Sequence, residues 1–318
     1  FDAQSIVFLI FCSVIRRSKK VDFVYIRAQK QSNTYISHIF GRSYMDNNIL
    51  TNKNGKARGL AIGTSIAVGV VMLPTVAAET TALATNDWVG ISFWIATAAM
   101  LASTVFFLVE RQNVGDKWKT SMTVAALVTG VAWYHYTYMR EVWASSYAET
   151  GIGVSPVVYR YIDWLITVPL QIVEFYLILA AVGVATAAMF RNLFGASIVM
   201  LVAGFFGEAM SGDGQTFDGM ELIWFAVGMA AYIYILFEIN RGSVLEAAMT
   251  TSESTQFAFN AMRGIVTIGW LIYPIGYFLG TGDDPDTDAL NTLYNIADLV
   301  NKTAFGMMIW YAAVKDSE

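Results

Sequence analysis

The chain has 318 residues, 56% hydrophobic and 14% charged, with nine Trp and sixteen Tyr. That balance is too apolar for an ordinary soluble domain of this length and fits an integral membrane protein with aromatic residues at its interfacial belts. Half of the twenty Lys and Arg precede Gly59, so the remainder is strongly acidic and nucleic acid is excluded as a partner, while a lone cysteine, Cys12, excludes an internal disulfide and any thiolate metal site.

Residues 1–44 hold an apolar run, Ser5 to Ile15, too short to span a bilayer, then the basic stretch Arg16 to Lys20 and polar sequence without a clear period. They read as an upstream leader. Met45 begins a different pattern over 45–78: Lys53, Lys56 and Arg58, an apolar stretch from Leu60 to Leu73, then small residues Val76 and Ala78 at the spacing of a cleavage site. This is the pattern of a secretory signal peptide, with a mature chain over 79–318; the alternative is a retained N-terminal helix.

Seven apolar segments of spanning length follow, at 88–109, 120–140, 154–180, 192–210, 219–239, 257–279 and 289–314. An open chain in lipid can satisfy its backbone only as helices, so the expected fold class is all-α, a seven-transmembrane-helix bundle. Arg111, Lys117, Lys119, Arg191, Arg241, Arg263 and Lys315 fall on one side of the membrane. Arg140 falls on the other with Glu149, Asp213, Asp218 and the run Asp283 to Asp288, which reads as a solvated loop. The positive-inside rule then puts the N-terminus outside.

Four ionisable residues stand inside apolar segments: Asp163 and Glu174 in the third, Asp298 and Lys302 in the seventh. Such groups cost several kcal/mol in a bilayer unless paired or hydrated, and they default to a transport or ligand role. Asp298 and Lys302, four apart, share a helix face. Asp163 and Glu174 are eleven apart and also share one, separated by roughly 16 Å at the helical rise.

The third segment reads Arg160-Tyr-Ile-Asp163-Trp164-Leu-Ile-Thr167-Val-Pro169-Leu-Gln171-Ile-Val-Glu174, and the seventh Leu293-Tyr-Asn-Ile-Ala-Asp298-Leu-Val-Asn301-Lys302. With Trp270-Leu-Ile-Tyr273-Pro274 in the sixth and Trp133-Tyr-His135-Tyr136 in the second, the chain closely resembles the microbial rhodopsins of the proteorhodopsin family over about 88–316.

That resemblance implies all-trans retinal in the core, bound to Lys302 as a protonated Schiff base, with Asp163 and Asp298 as counterions. Schiff-base formation is a common use of a desolvated lysine. Asp163, with Arg160 one turn away, suits a proton acceptor; Glu174, with no cation in helical reach and apolar neighbours, suits a proton donor. Asp163, Thr167 and Glu174 match the family's proton-pump triplet. Trp164, Trp270 and Tyr273 are expected to flank the retinal, Tyr277 and Asn301 to belong to its site, and Tyr136 to hydrogen-bond within the counterion complex. His135, level with Asp163 if the second helix ends near Arg140, is expected to hydrogen-bond it. Gln171, two turns beyond Asp163, lies beside the polyene, where the family pairs Gln with blue absorption and Leu with green.

Pro169 and Pro274 are expected to kink their helices. No metal is expected, His38 being the only other histidine. The expectation is a blue-absorbing, light-driven outward proton pump, not an enzyme, in a bacterial inner membrane, assembled as a pentamer or hexamer by resemblance. The rival is a photosensory rhodopsin signalling through a membrane transducer, in which a carboxyl donor such as Glu174 would have no use.

Overall fold

A computed structural model describes residues 83–208, 219–280 and 286–317. The leader and signal-peptide readings, with Cys12, His38, Asp213, Asp218, Asp283 and Asp284, lie outside the described residues.

Among the described residues every regular element is helical. Helix α1 (Trp88–Glu110) is capped by Asp87, whose carboxylate accepts from the Gly90 N–H at 2.7 Å. After a 3₁₀ turn, Asp116–Trp118, helix α2 runs over Lys119–Thr150. Hydropathy alone stopped this segment at Arg140 and put Arg140 and Glu149 in a loop; both lie within the helix. The extra turns are held by packing. Trp143 is buried against Phe93 of α1, and its indole N–H reaches Asp87 at 3.3 Å. Arg140 lies 3.8 Å above the Trp94 ring, a cation–π contact that settles its charge in place. The helix ends at Gly151, whose φ of 71° is the left-handed conformation glycine adopts without strain.

Helix α3 (Val157–Ala181) carries Pro169 without a break in its helical run. It is followed by α4 (Ala187–Glu208), α5 (Gly219–Asn240), the short α6 (Ser243–Ala248), which the sequence pattern did not announce, and α7 (Glu253–Ile268). The sixth segment is then interrupted: a 3₁₀ turn over Gly269–Leu271 separates α7 from α8 (Ile272–Gly280). Pro274 has no N–H to return to the carbonyl of Trp270 one turn back, so the regular ladder gives way there. Helix α9 (Thr287–Lys315) begins at Asp286, which caps the Ala289 N–H at 2.9 Å.

Among the described residues, five spans are long and apolar enough to cross a membrane: α1, α3, α4, Met220–Ala248 and Glu253–Gly280. Helices α2 and α9 complete the set of seven but carry charged side chains, including Arg140 and Glu141 in one and Asp298 and Lys302 in the other. The chain is a multi-pass membrane protein. Large apolar residues such as Ile95, Val105, Leu222, Phe237 and Ile275 point outward, whereas Arg160, Asp163, Gln171, Glu174, Asn291, Asn295, Asp298 and Lys302 are buried. Polar groups inside and apolar groups outside is the distribution a lipid solvent imposes on a helix bundle with a functional interior.

The ring of helices closes where α9 packs against α1 and α2 as well as α7 and α8. At one end the closure is tied by polar contacts. Asp316 accepts from the Trp118 indole at 2.7 Å and pairs with Lys117 at 2.5 Å, while the Ser317 hydroxyl accepts from the Gly115 N–H at 2.8 Å.

Candidate functional site

Lys302 sits midway along α9, with only 2% of its surface exposed. Its Nζ lies 2.5 Å from Asp163 Oδ2 on α3 and 3.0 Å from Asp298 Oδ2 one turn back on its own helix. Two carboxylates and one ammonium leave a net negative charge, so the arrangement holds a cation at the lysine nitrogen strongly, and removing that cation would leave two anions facing each other.

The two carboxylates are not equivalent. Asp298 accepts from Tyr273 Oη at 2.8 Å, Tyr136 Oη at 3.0 Å and Trp164 Nε1 at 3.2 Å, in addition to Lys302. Asp163 has far fewer donors: Lys302, and the Thr167 hydroxyl 3.5 Å from Oδ2, a group bonded better to the Asp163 backbone carbonyl at 3.0 Å. Its Oδ1 makes no hydrogen bond. Asp163 is thus the carboxylate with hydrogen-bonding capacity to spare, and Asp298 the one whose oxygens are already taken.

The expected hydrogen bond from His135 to Asp163 is not made. His135 Nδ1 is 3.7 Å from Asp163 Oδ1 and instead lies 2.9 Å from the carbonyl oxygen of Val131. A carbonyl can only accept, so Nδ1 carries its hydrogen toward its own helix and meets Asp163 at ion-pair range only. His135 is level with Asp163 even though α2 extends well past Arg140.

Arg160, three residues before Asp163, does not pair with it. Its Nη2 donates to Asn291 Oδ1 and Asn295 Oδ1, both at 2.8 Å, and its Nη1 lies 3.4 Å from Tyr136 Oη. Tyr136 therefore links the guanidinium to Asp298. Asn295 is in turn oriented by donating to Ser92 of α1 at 2.8 Å. The two asparagines were not picked out from the sequence, yet a signal was present: Asn291, Asn295, Asp298 and Lys302 recur at helical spacing and form one polar stripe on α9.

Glu174 is buried on α3 at 1% exposure, and neither carboxyl oxygen has a hydrogen-bond partner. Ser121 of α2 is the polar side chain facing it, without closing a hydrogen bond. A carboxyl in such surroundings is least costly as the neutral acid.

A largely aromatic cavity opens beside the lysine cluster, between α3, α4, α5, α7 to α8 and α9. Trp164, Trp270, Tyr273 and Tyr277 line it, as do Pro274, Met200 and Gly204. Trp164 and Tyr273 do double duty, walling the cavity with their rings and donating to Asp298. Tyr136, Gln171 and Asn301 do not line it. The Gln171 amide donates to the Asn301 carbonyl at 3.2 Å, and Asn301 Nδ2 reaches the Gly269 carbonyl at 3.2 Å, which ties the backbone next to Lys302 to the 3₁₀ turn. A buried amine between two carboxylates stands beside an aromatic-walled cavity suited to an apolar ligand.

Comparison with known proteins agrees with this arrangement. The family model described as "Bacteriorhodopsin-like protein" matches residues 87–316. A green-light absorbing proteorhodopsin from Gamma-proteobacterium EBAC31A08 is 49% identical over 252 residues, covering 78% of this chain and 95% of that protein. A blue-light absorbing proteorhodopsin from Gamma-proteobacterium Hot 75m4 is 47% identical over 263 residues, covering 81% and 97%. Among solved structures, the blue light-absorbing proteorhodopsin from Med12 superposes with a TM-score of 0.59 at 56% identity, covering 72% of this chain and 99% of that one.

Proposed function

The chain belongs to the bacteriorhodopsin-like family, and from that premise we propose that it is a light-driven outward proton pump, a transporter and not an enzyme, carrying all-trans retinal bound covalently to Lys302. When bound, the retinal would supply light absorption and, as a Schiff base on the lysine nitrogen, a proton whose hold weakens on isomerisation. The chain's own residues do the rest. Asp163 takes up a proton on its under-donated carboxylate, 2.5 Å from the lysine nitrogen. Asp298, held as an anion by Tyr136, Tyr273 and Trp164, keeps the site negative while Asp163 is neutral. Glu174, eleven residues further along α3, restores the proton from the other side. Trp164, Trp270, Tyr273 and Tyr277 confine the polyene, and Asn301 fixes the backbone beside the attachment point.

The observation that carries this reading is the pairing of Lys302 with Asp163 on one helix that also buries Glu174 as an unpartnered acid. A photosensor has no need of a second buried carboxyl on that line, and a stability cost without a use is not expected to persist. Direction follows from the sidedness of the charged loops: α3 enters from the periplasm, so a proton moving from Glu174 toward Asp163 moves outward. On the same reading the N-terminus faces the periplasm of a bacterial inner membrane, as it would after cleavage of a signal peptide. A homo-oligomeric pentamer or hexamer is part of the proposal by resemblance.

Colour is assigned from Gln171. The curated green- and blue-absorbing relatives are 49% and 47% identical, while the solved blue light-absorbing proteorhodopsin from Med12 is 56% identical. Gln171 lies outside the cavity lining, so its amide would act on the chromophore through the Asn301 backbone it bonds, and the family pattern at this place goes with blue absorption.

Illumination of retinal-supplied cells expressing the chain should acidify an unbuffered medium, and a protonophore should abolish the change. Lys302→Ala should remove both the visible absorbance and the acidification while the membrane-inserted helices persist by circular dichroism. A light response that survives in that variant rules out the proposal.

A further inference from the structure

Each turnover of the pump proposed above leaves Glu174 without its proton, and a replacement has to come from water at the end of the bundle where α3 stops and α2 starts. That route is shut. Ile178, one turn beyond Glu174 on α3, is fully buried, as are Leu179, Met122 and Trp118, and all four belong to one continuous apolar cluster. Ser121, which faces Glu174, follows Trp118 by three residues, so the indole and the serine share a helix face and the indole is the outer of the two. We propose that Trp118 is the gate of the proton-uptake route to Glu174, and that Asp316 is the latch that holds it shut. The inference rests on the pumping role and the sidedness proposed above.

What sets Trp118 apart from the rest of the seal is how it is held. Ile178, Leu179 and Met122 sit inside long helices whose backbone bonds fix them. Trp118 ends the short 3₁₀ turn Asp116–Trp118 in the link between α1 and α2, and that turn packs against α3. Its polar anchors come from Asp316 and Ser317, just past α9. The Trp118 indole N–H donates to Asp316 Oδ2 at 2.7 Å, and Lys117 Nζ reaches the same oxygen at 2.5 Å. The Gly115 N–H donates to Ser317 Oγ at 2.8 Å, while that hydroxyl gives its own hydrogen to the Ala313 carbonyl at 2.5 Å. The end of α9 thus receives every one of these bonds, and the turn supplies the donors.

A latch of this kind suits repeated opening. The Lys117 side chain is 47% exposed and that of Asp316 16%, so water is at hand to take over their bonds when the turn swings out. Neither charge is then left buried and unpaired, which is the expensive outcome for a broken ion pair. Movement of the turn carries the indole away from the face it shares with Ser121 and admits water toward Glu174. A proton from water or buffer on that side then forms the new O–H bond on Glu174, and no electrons are exchanged.

The test follows proton uptake after a flash in the purified retinal-loaded protein, with a soluble pH-indicator dye reporting the bulk and time-resolved infrared reporting the Glu174 C=O band. In Asp316→Ala, dark absorbance and the loss of the Glu174 proton should match wild type. Recovery of the Glu174 band and uptake from the dye should both quicken, by about 10-fold if the latch contributes what one hydrogen bond to a charged group does. Asp316→Glu should bring the rate most of the way back, which a general loosening of the fold would not do. Trp118→Phe, which keeps an aromatic ring but cannot donate, should quicken the same two signals. Ser317→Ala, which deletes the second tie at an exposed position, decides the matter if neither of the others yields pigment. Unchanged uptake in the variants that form pigment overturns the gate while leaving the pump intact. Slower uptake overturns it as well, by making the turn part of the conducting path. Absence of net proton movement in the wild type would instead overturn the pumping role itself.

Discussion

The Tyr136 hydroxyl donates to Asp298 across 3.0 Å, joining α2 to α9 at the level of the buried lysine. The same oxygen lies 3.4 Å from Arg160 Nη1, so one phenol serves both a carboxylate and a guanidinium that never meet directly.

Tyr136→Phe keeps the ring, which is fully buried, and deletes the shared oxygen. Asp298 would retain Tyr273 and Trp164 as donors but hold a more concentrated negative charge beside the bound cation. That charge stabilises the ground state more than the excited state, so the absorption maximum of the purified pigment should move to shorter wavelength. A shift to longer wavelength would mean that Tyr136 does not act through Asp298.

Glu174→Gln should leave dark colour and arrival of the first proton at Asp163 nearly unchanged, because the substitution is isosteric and neutral. Return to the dark state should slow by about 100-fold, since an amide cannot give up a proton. Azide, a small diffusible acid, should restore the rate in a concentration-dependent way. Recovery kinetics equal to wild type would make Glu174 a structural carboxyl.

Gln171→Leu removes the amide that donates to the Asn301 carbonyl and substitutes an apolar side chain of similar size. The absorption maximum should move to longer wavelength, and pumping under matched photon flux should continue because no proton-carrying group is touched. A spectrum that stays in place would separate Gln171 from the chromophore and remove the basis for a blue pigment.

Asp316 lies beyond the last helix, outside the membrane. Partial burial pushes its carboxyl up, but the Lys117 ammonium and the Trp118 indole N–H outweigh that and hold it below the usual carboxylate range. A group depressed in the folded state contributes stability above its unfolded value and loses it as pH falls through the folded one. The contact with Trp118 should therefore persist at neutral pH and release in acid below the ordinary carboxylate range, visible as a change in the fluorescence of that buried indole. Asp316→Asn should remove the acid transition. If the transition remains, another group governs it.

The part of the molecule legible in the sequence was the part encoded by residue type and helical spacing. Asp163, Glu174, Asp298 and Lys302 are conspicuous because charge is costly in apolar segments, and their separations place them on shared faces without any tertiary information. What the pattern missed depends on three-dimensional packing. Helix α2 outran its apolar stretch because Trp143 docks on α1. The partner of Arg160 turned out to be two asparagines of another helix, although Asp163 is nearer in sequence. His135 spends its Nδ1 hydrogen on the backbone one turn back, a choice made by local geometry.

The isolation of Glu174 sets thermal endurance against turnover. A carboxyl buried at 1% exposure with no hydrogen-bond partner burdens the native state by about 1–3 kcal/mol relative to an apolar residue of similar shape. Selecting variants of this chain for heat resistance alone would favour Leu or Met at that position and steadily enrich for pigments that keep their colour, bleach less and transport slowly. A screen meant to harden the protein for use therefore has to read current or pH alongside melting temperature, because at this one residue the two properties are opposed.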